Sequence, residues 1–343
     1  AQAIEGKQEL HYWQSVVAEL QEIAVENEEQ ILDLSFSSDF TQSLLQEANA
    51  GYHTDINDLL LSALASALAS TFDKSVNHII LEGHGRETIN PSLDVSQTVG
   101  WFTNMYPVRL ENTASIANTI IHTKEMLRQI PTKGLGYGAL VQTQALLDRL
   151  PQVSFNYLGQ FGISPRGTSE EGDDTWQFVT GPMGEAVPSE NRGHLLLNVN
   201  GGVQKGQLQF GVISRLPAEL TQTFVQAFDS SLCAVVKEAV EQAQQGAVKT
   251  PSDYGVPELA MSTLQRLQSQ CDIEAIYPAT SLQQGFILHH VSQPDDDAYR
   301  VQILLDYLQA LDVEVYKQAW RLASLKFPIL RTAFNWESEA VQV

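Results

Sequence analysis

Glu82, His84 and Arg86 stand almost side by side in "IILEGHGRE", residues 79–87. A carboxylate, an imidazole and a fixed cation so placed could remove or return a proton and steady the charge that develops. Three aliphatic residues lead into Glu82, which puts the carboxylate where a buried strand ends. Partial burial there would raise its pKa toward a value useful for proton transfer. The competing reading is a turn decorated with charge, for which Gly83 and Gly85 supply the backbone freedom. Residue types leave both open, and position favours the first.

Other stretches offer binding groups. "QTVGWFTNMYPVRL" (97–110) sets Trp101, Phe102 and Tyr106 beside Gly100, Thr103 and Asn104, as an aromatic core loop or a cavity wall would. "PTKGLGYGAL" (131–140) matches neither a dinucleotide fingerprint nor a phosphate loop, and reads as a hinge or a place of close backbone approach. "FNYLGQF" (155–161) places Asn156 inside an apolar strand. An unsatisfied amide there is costly, so Asn156 bonds locally or faces a cavity. His289-His290 is followed by Val291-Ser292-Gln293-Pro294-Asp295 and not by the pattern His-His-x-x-x-Asp-Gly; it reads as a surface helix end.

Periodicity predicts the elements that position these groups. Leu10, Trp13, Val17 and Leu20 recur every three or four residues, predicting a helix over about 7–27. Residues 31–36 alternate like a half-buried strand, and Asp39 can cap a helix reaching Ala50. Thr54-Asp55-Ile56-Asn57 opens a helix that is apolar nearly all round and therefore buried, followed by a strand over 78–82. Residues 152–159 read as a strand; 194–200 and 206–214 read as a hairpin joined by "GGVQK". Residues 164–190 read as an acidic surface loop, and 217–245 as a long amphipathic helix. Strands alternating with long helices imply an α/β architecture. "GAVKTPSDYGVPE" (246–258) ends this unit. Past a linker at 259–272, residues 273–343 restart an apolar pattern: an extended Tyr277-Pro278, a helix from Thr280 or Ser281, a strand-like 299–308 and a helix over 313–325. They should form a separate unit and add no strand to the first sheet.

Bulk properties narrow the function classes. The chain has 343 residues, enough for two domains, with 43% hydrophobic and 18% charged residues. A formal charge of -21 opposes binding to nucleic acid or to anionic membranes. Cys233 and Cys271 are the only cysteines, so neither a disulfide framework nor a Cys/His metal pattern is present. No apolar run approaches the roughly 20 residues of a membrane span, and a cytoplasmic location is expected.

Taken in order, "EGHGRE", "TVGWFTNMYP", "PTKGLGYG" and "FNYLGQF" resemble the epimerization domains of nonribosomal peptide synthetases, over about residues 7–258. "KTPSDYGVPEL" looks like the exit from such a domain. The segment from Ile273, with "IYPATSLQQGFILHH" and "FPILRTAFNWE", is similar to the opening of a condensation domain of a next module. The resemblance implies a fold like chloramphenicol acetyltransferase, with two α/β lobes in a V and a tunnel between them. It implies L-to-D inversion at the α-carbon of an aminoacyl or peptidyl thioester. The substrate would arrive on the phosphopantetheine of an upstream carrier domain, with no directly bound cofactor and no metal. Glu82 would be the catalytic acid/base; His84, Arg86, Trp101, Asn104, Tyr106, Tyr137, Asn156 and Tyr157 would be candidates to line the tunnel. The family's other catalytic group, the second histidine of His-His-x-x-x-Asp-Gly, has no counterpart here. Residues 1–258 would then be the C-terminal portion of an epimerization domain, partnered by its remaining N-terminal lobe and by a downstream condensation–adenylation module. Alone, this chain would be inactive. Two other readings stay open: a peptide-bond-forming condensation domain of the same superfamily, and a noncatalytic lobe that holds a carrier domain.

Overall fold

A computed structural model describes residues 2–23, 27–88, 92, 94–161, 193–296, 298–299, 301–337 and 340–343; the expected loop at 164–190 lies outside them. The chain divides into two units, Ala1–Val248 and Lys249–Val343.

The first unit runs α1 (Gln2–Ala18), β1 (Gln30–Ser35), α2 (Ser38–Gln46), α3 (Asn49–Tyr52), α4 (Ile56–Phe72), β2 (Val76–Gly83) and β3 (Asn104–Glu111). It continues with α5 (Ile116–Gln129), α6 (Leu135–Gln142), β4 (Val153–Phe161), β5 (Leu197–Gln204), β6 (Gln207–Ser214) and α7 (Ala218–Gln245). The six strands form one mixed sheet in the order β1-β6-β5-β4-β2-β3, with β4 parallel to both neighbours and the other pairs antiparallel. This is the expected α/β class.

Alternation along the strands sorts the side chains into two faces. Ile79, Val108, Phe155, Val199 and Phe210 point inward and share one core with α4 and α7. Phe228 of α7 packs edge-on to Phe210 at 5.2 Å and stacks on Phe224 at 5.9 Å. The opposite parity, including Glu82, Asn156, Asn200 and Asp33, points to the other face. α4 is buried along almost its whole length, and it opens with Asp58 accepting the backbone N–H of Asp55 at 2.7 Å.

Several boundaries differ from the sequence reading. α1 stops at Ala18, not near 27, because the Gln152 side chain bonds both the N–H and the carbonyl of Ile23 at 2.6 and 2.7 Å and holds that segment as a strand partner would. Ser37, not Asp39, caps α2, its hydroxyl accepting from the Phe40 N–H. The β5–β6 turn is only Lys205-Gly206, both left-handed, so most of "GGVQK" is strand. Within 97–110, read as an aromatic core loop, the chain from Asn104 onward pairs with β2 as an edge strand that runs to Glu111.

The second unit holds α8 (Met261–Gln270), β7 (Tyr277–Pro278), α9 (Ser281–Ser292), α10 (Val313–Lys326), β8 (Phe334–Asn335) and β9 (Val341–Gln342). Its three short strands form a sheet of their own, β7-β9-β8, around a small core of Val256, Leu259, Leu264, Ile276 and Val341. Residues 259–272, read as linker, thus carry a helix that packs into this core. Among the described residues of 299–308 no strand forms; the segment has no ladder partner, and its apolar side chains are exposed.

Candidate active site

β2 delivers Glu82 one residue before its end, beside the middle of β4. Ile79 and Leu81 turn inward, so alternation turns Glu82 outward, where it is exposed; the partial burial expected from sequence is not found. Asn156 of β4 donates from Nδ2 to Glu82 Oε2 at 3.2 Å. Both line a cavity of about 770 Å³ that also reaches His84, Glu87, Tyr106 and Tyr157. Asn156 therefore does both things allowed for it: it bonds locally and it faces a cavity.

The other charged members of "EGHGRE" serve the turn. His84 Nδ1 accepts the Arg86 backbone N–H at 3.0 Å, and its Nε2 lies 3.2 Å from Glu87 Oε1. Both ring nitrogens are thus engaged within the turn, Nδ1 by a hydrogen bond and Nε2 by its closeness to Glu87. Arg86 reaches away, donating to the carbonyls of Val95 at 2.5 Å and Gly100 at 3.4 Å while lying 4.2 Å over the Phe102 ring. Gly85 has φ +65°, and a Cβ there would sit 1.6 Å from the Phe102 carbonyl oxygen. Only glycine fits.

Tyr106 and Tyr157 reach the same cavity from the inward face. Burial pushes the Tyr157 phenol up, and its buried Oη has no hydrogen-bond partner among the described residues. Burial, then the nearby Glu87 charge, pushes Tyr106 up. Both phenols keep their protons near neutral pH and can donate. Asn104, paired in register with Gly83, is half-buried; its carboxamide atoms are buried without a partner among the described residues, and it does not line the cavity. Trp101 is 91% exposed and lies off the cavity wall. Tyr137 belongs to the core: its ring meets Trp13 edge-on, and its Oη donates to the Arg149 carbonyl at 2.6 Å.

Sequence reasoning missed the far wall. Arg128 of α5 forks onto buried Asp58 at 3.0 and 2.8 Å and reaches Asp55 at 3.0 Å. Thr54 to Asn57 signalled a helix start, but nothing local announced that Asp58 would meet a partner seventy residues away. Lys133 lies beside them with a left-handed backbone, as does Thr132. Gly134 explains the glycine in "PTKG": a Cβ there would come within 2.1 Å of the Tyr106 ring. The close-approach reading holds there, while the next residues form α6 and no hinge.

His289 and His290 close the last turn of α9 as expected, His289 lying 3.3 Å from Asp296. Among the described residues no group of three or more His, Cys, Asp or Glu is placed to hold a metal ion, and no helix is long and apolar enough to cross a membrane.

The Condensation domain family matches residues 1–253. The chain is 32% identical to a mycosubtilin synthase polypeptide of Bacillus subtilis over 94% of its own length and 13% of that protein's. It is 36% identical to a linear gramicidin synthase polypeptide of Brevibacillus parabrevis over 88% of its own length and 6% of that protein's. It thus spans a small fraction of these relatives. The crystal structure of the epimerization domain from the third module of tyrocidine synthetase B superposes with a TM-score of 0.56 at 28% identity, covering 69% of this chain and 57% of that one.

Proposed function

The chain belongs to the condensation domain family, and we propose that within a nonribosomal peptide synthetase it inverts the α-carbon of a thioester carried on phosphopantetheine. The observation that carries this reading is the Glu82 carboxylate, held by Asn156 at the wall of a cavity lined by buried phenols. The 28% identity to a solved epimerization domain supports it.

A thioester α-proton is weakly acidic, so its removal needs a positioned base and donors for the enolate oxygen. Glu82 takes the proton: the C–H bond breaks, an O–H bond forms on the carboxylate, and the electron pair moves onto the thioester oxygen. Asn156 fixes the carboxylate's direction. The Tyr157 hydroxyl, without a partner among the described residues, is available to the enolate oxygen. A proton returned to the opposite face completes inversion; that acid is proposed to come from protein beyond this lobe. Nothing in the cycle calls for a bound cofactor.

The test is Glu82→Gln in the intact synthetase, followed by solvent deuterium wash-in at the α-carbon. A general acid/base typically contributes 10²–10⁴-fold, so exchange should fall about a hundredfold or more with carrier loading unchanged. Near-normal wash-in would make Glu82 a bystander. The family match itself favours a second reading, peptide-bond formation. A new amide bond with the α-centre unchanged would establish that one instead.

A further inference from the structure

The end of the sheet remote from Glu82 carries a separate cavity of about 580 Å³. It lies where β2 and β4 begin, and among the described residues its lining shares none with the Glu82 cavity. His78 of this lining stands four residues before Glu82 on β2, roughly 13 Å along the strand. The segment after α1 supplies Glu19 and Gln21, and Lys74 comes from the turn between α4 and β2. Phe72, Val153 and Leu196 add apolar surface.

His78 carries an unmet group into this wall. Only 12% of its side chain is exposed, and its buried Nε2 has no hydrogen-bond partner among the described residues. Glu19 Oε2 is 3.6 Å away, too far for a hydrogen bond, and accepts from Arg109 Nε at 3.2 Å instead. Burial holds the imidazole below its usual range, so at neutral pH Nε2 offers one N–H or one lone pair. A buried ring nitrogen left unpaired on a cavity wall fits a partner supplied from within the cavity. Lys74 has capacity of the same kind, since one of the three donors of its ammonium goes to Gln21 Oε1, at 2.9 Å.

Charge selects the occupant. Arg109 bonds both Glu19 and Glu111, and its one charge cannot balance two carboxylates. With Lys74 on the wall, two cations match the two carboxylates, and the site favours a ligand of no net charge. A phosphate would set almost two negative charges beside Glu19 and Glu111. A wholly apolar ligand would leave the His78 nitrogen unpaired and strip water from Lys74. We infer that this cavity binds a free α-amino acid with an apolar side chain, its carboxylate on Lys74 and the His78 Nε2–H and its ammonium on Glu19. The side chain lies against Phe72, Val153 and Leu196, and the volume falls in the ordinary range of small-molecule sites. The inference stands apart from the role given to Glu82.

Binding tests it without turnover. The full chain is titrated with L-phenylalanine and followed by NMR of its histidine rings, His78→Gln identifying the His78 signal. That signal should move with a dissociation constant on the order of 1 mM, as suits so small a ligand. Hydrocinnamate, which lacks the ammonium, and phenylalaninamide, which lacks the carboxylate, should each bind about tenfold more weakly, because one protein charge loses its partner. Lys74→Met should abolish the preference over the amide, and Glu19→Gln the preference over hydrocinnamate. Both side chains are exposed, and unfolding profiles check the fold. Glu82→Gln should leave the affinity unchanged. A His78 signal unmoved at roughly ten times the expected constant overturns the proposal. So does equal binding of either analogue, or a preference that survives both variants. An affinity that falls with Glu82→Gln overturns it too, because the ligand would then occupy the other cavity. Deuterium wash-in reports on Glu82 and this titration on His78, so either reading can fail while the other stands.

Discussion

Arg128→Met removes the side chain that, among the described residues, compensates a buried charge on the site wall. Asp58 is 1% exposed, and Arg128 meets both of its oxygens, at 3.0 and 2.8 Å. Breaking a buried pair from one side costs about 3–5 kcal/mol, because the remaining charge stays desolvated. For a unit of this size each kcal/mol moves Tm by roughly 2–4 °C, so a fall of about 6–20 °C is expected. The loss should depend on pH in a definite direction. Burial pushes the Asp58 carboxyl up, and Arg128 pulls it back. Without Arg128 the folded-state pKa lies further above the unfolded value. Such a group contributes stability at low pH that is lost as pH rises through its folded pKa. The gap between wild type and variant should therefore narrow between pH 7 and pH 5. Adding Asp58→Leu should recover most of the loss, leaving about 1 kcal/mol for the missing cap at Asp55. Thermal and urea unfolding of the three variants at both pH values is the assay. A single-variant loss below about 1 kcal/mol, or a gap that widens on acidification, would refute the reasoning.

His78 offers a second pH effect of opposite sign. Burial holds its imidazole below the usual range, so the unfolded chain binds the proton more readily. The stability it contributes is complete above about pH 6.5 and declines as pH falls through the depressed folded value. Urea midpoints at pH 7.5 and 5 should differ less in His78→Gln than in wild type; an unchanged difference would clear His78. Gly85→Ala places a methyl against the Phe102 carbonyl in a left-handed backbone, which should cost about 1–3 kcal/mol. It should also shift the turn that follows Glu82 and lower α-proton exchange several-fold or more, and full exchange with unchanged Tm would contradict the packing described. Phe228→Ala should destabilise the first unit by about 3–5 kcal/mol in urea unfolding, because the ring is fully buried against Phe210 and Phe224. A loss under 1 kcal/mol would mean that the α7 seam is not part of its core.

Local patterns sufficed wherever a residue's role depends on its near neighbours. The all-apolar run of α4, its Asp55–Asp58 start, the length of α7 and the period-two strand at β1 are each written in short-range spacing. So is the appearance of Glu82 at a strand end. The roles of residues within a motif could not be read that way. His84, Arg86 and Glu82 look alike as candidates in one line of sequence, yet strand parity sends Glu82 to the open face. A loop some ten residues away takes Arg86, and Glu87 takes the His84 ring. Asn156 met Glu82, and Asp58 met Arg128, only because strand register and helix packing brought together residues more than sixty positions apart. The same long-range terms shortened α1, turned 104–111 into an edge strand and set His78 beside Glu19. Spacing along the chain reports which residues share a face. Which faces then meet is set by burial and pairing summed over the whole unit, and that sum exists only once the chain has folded.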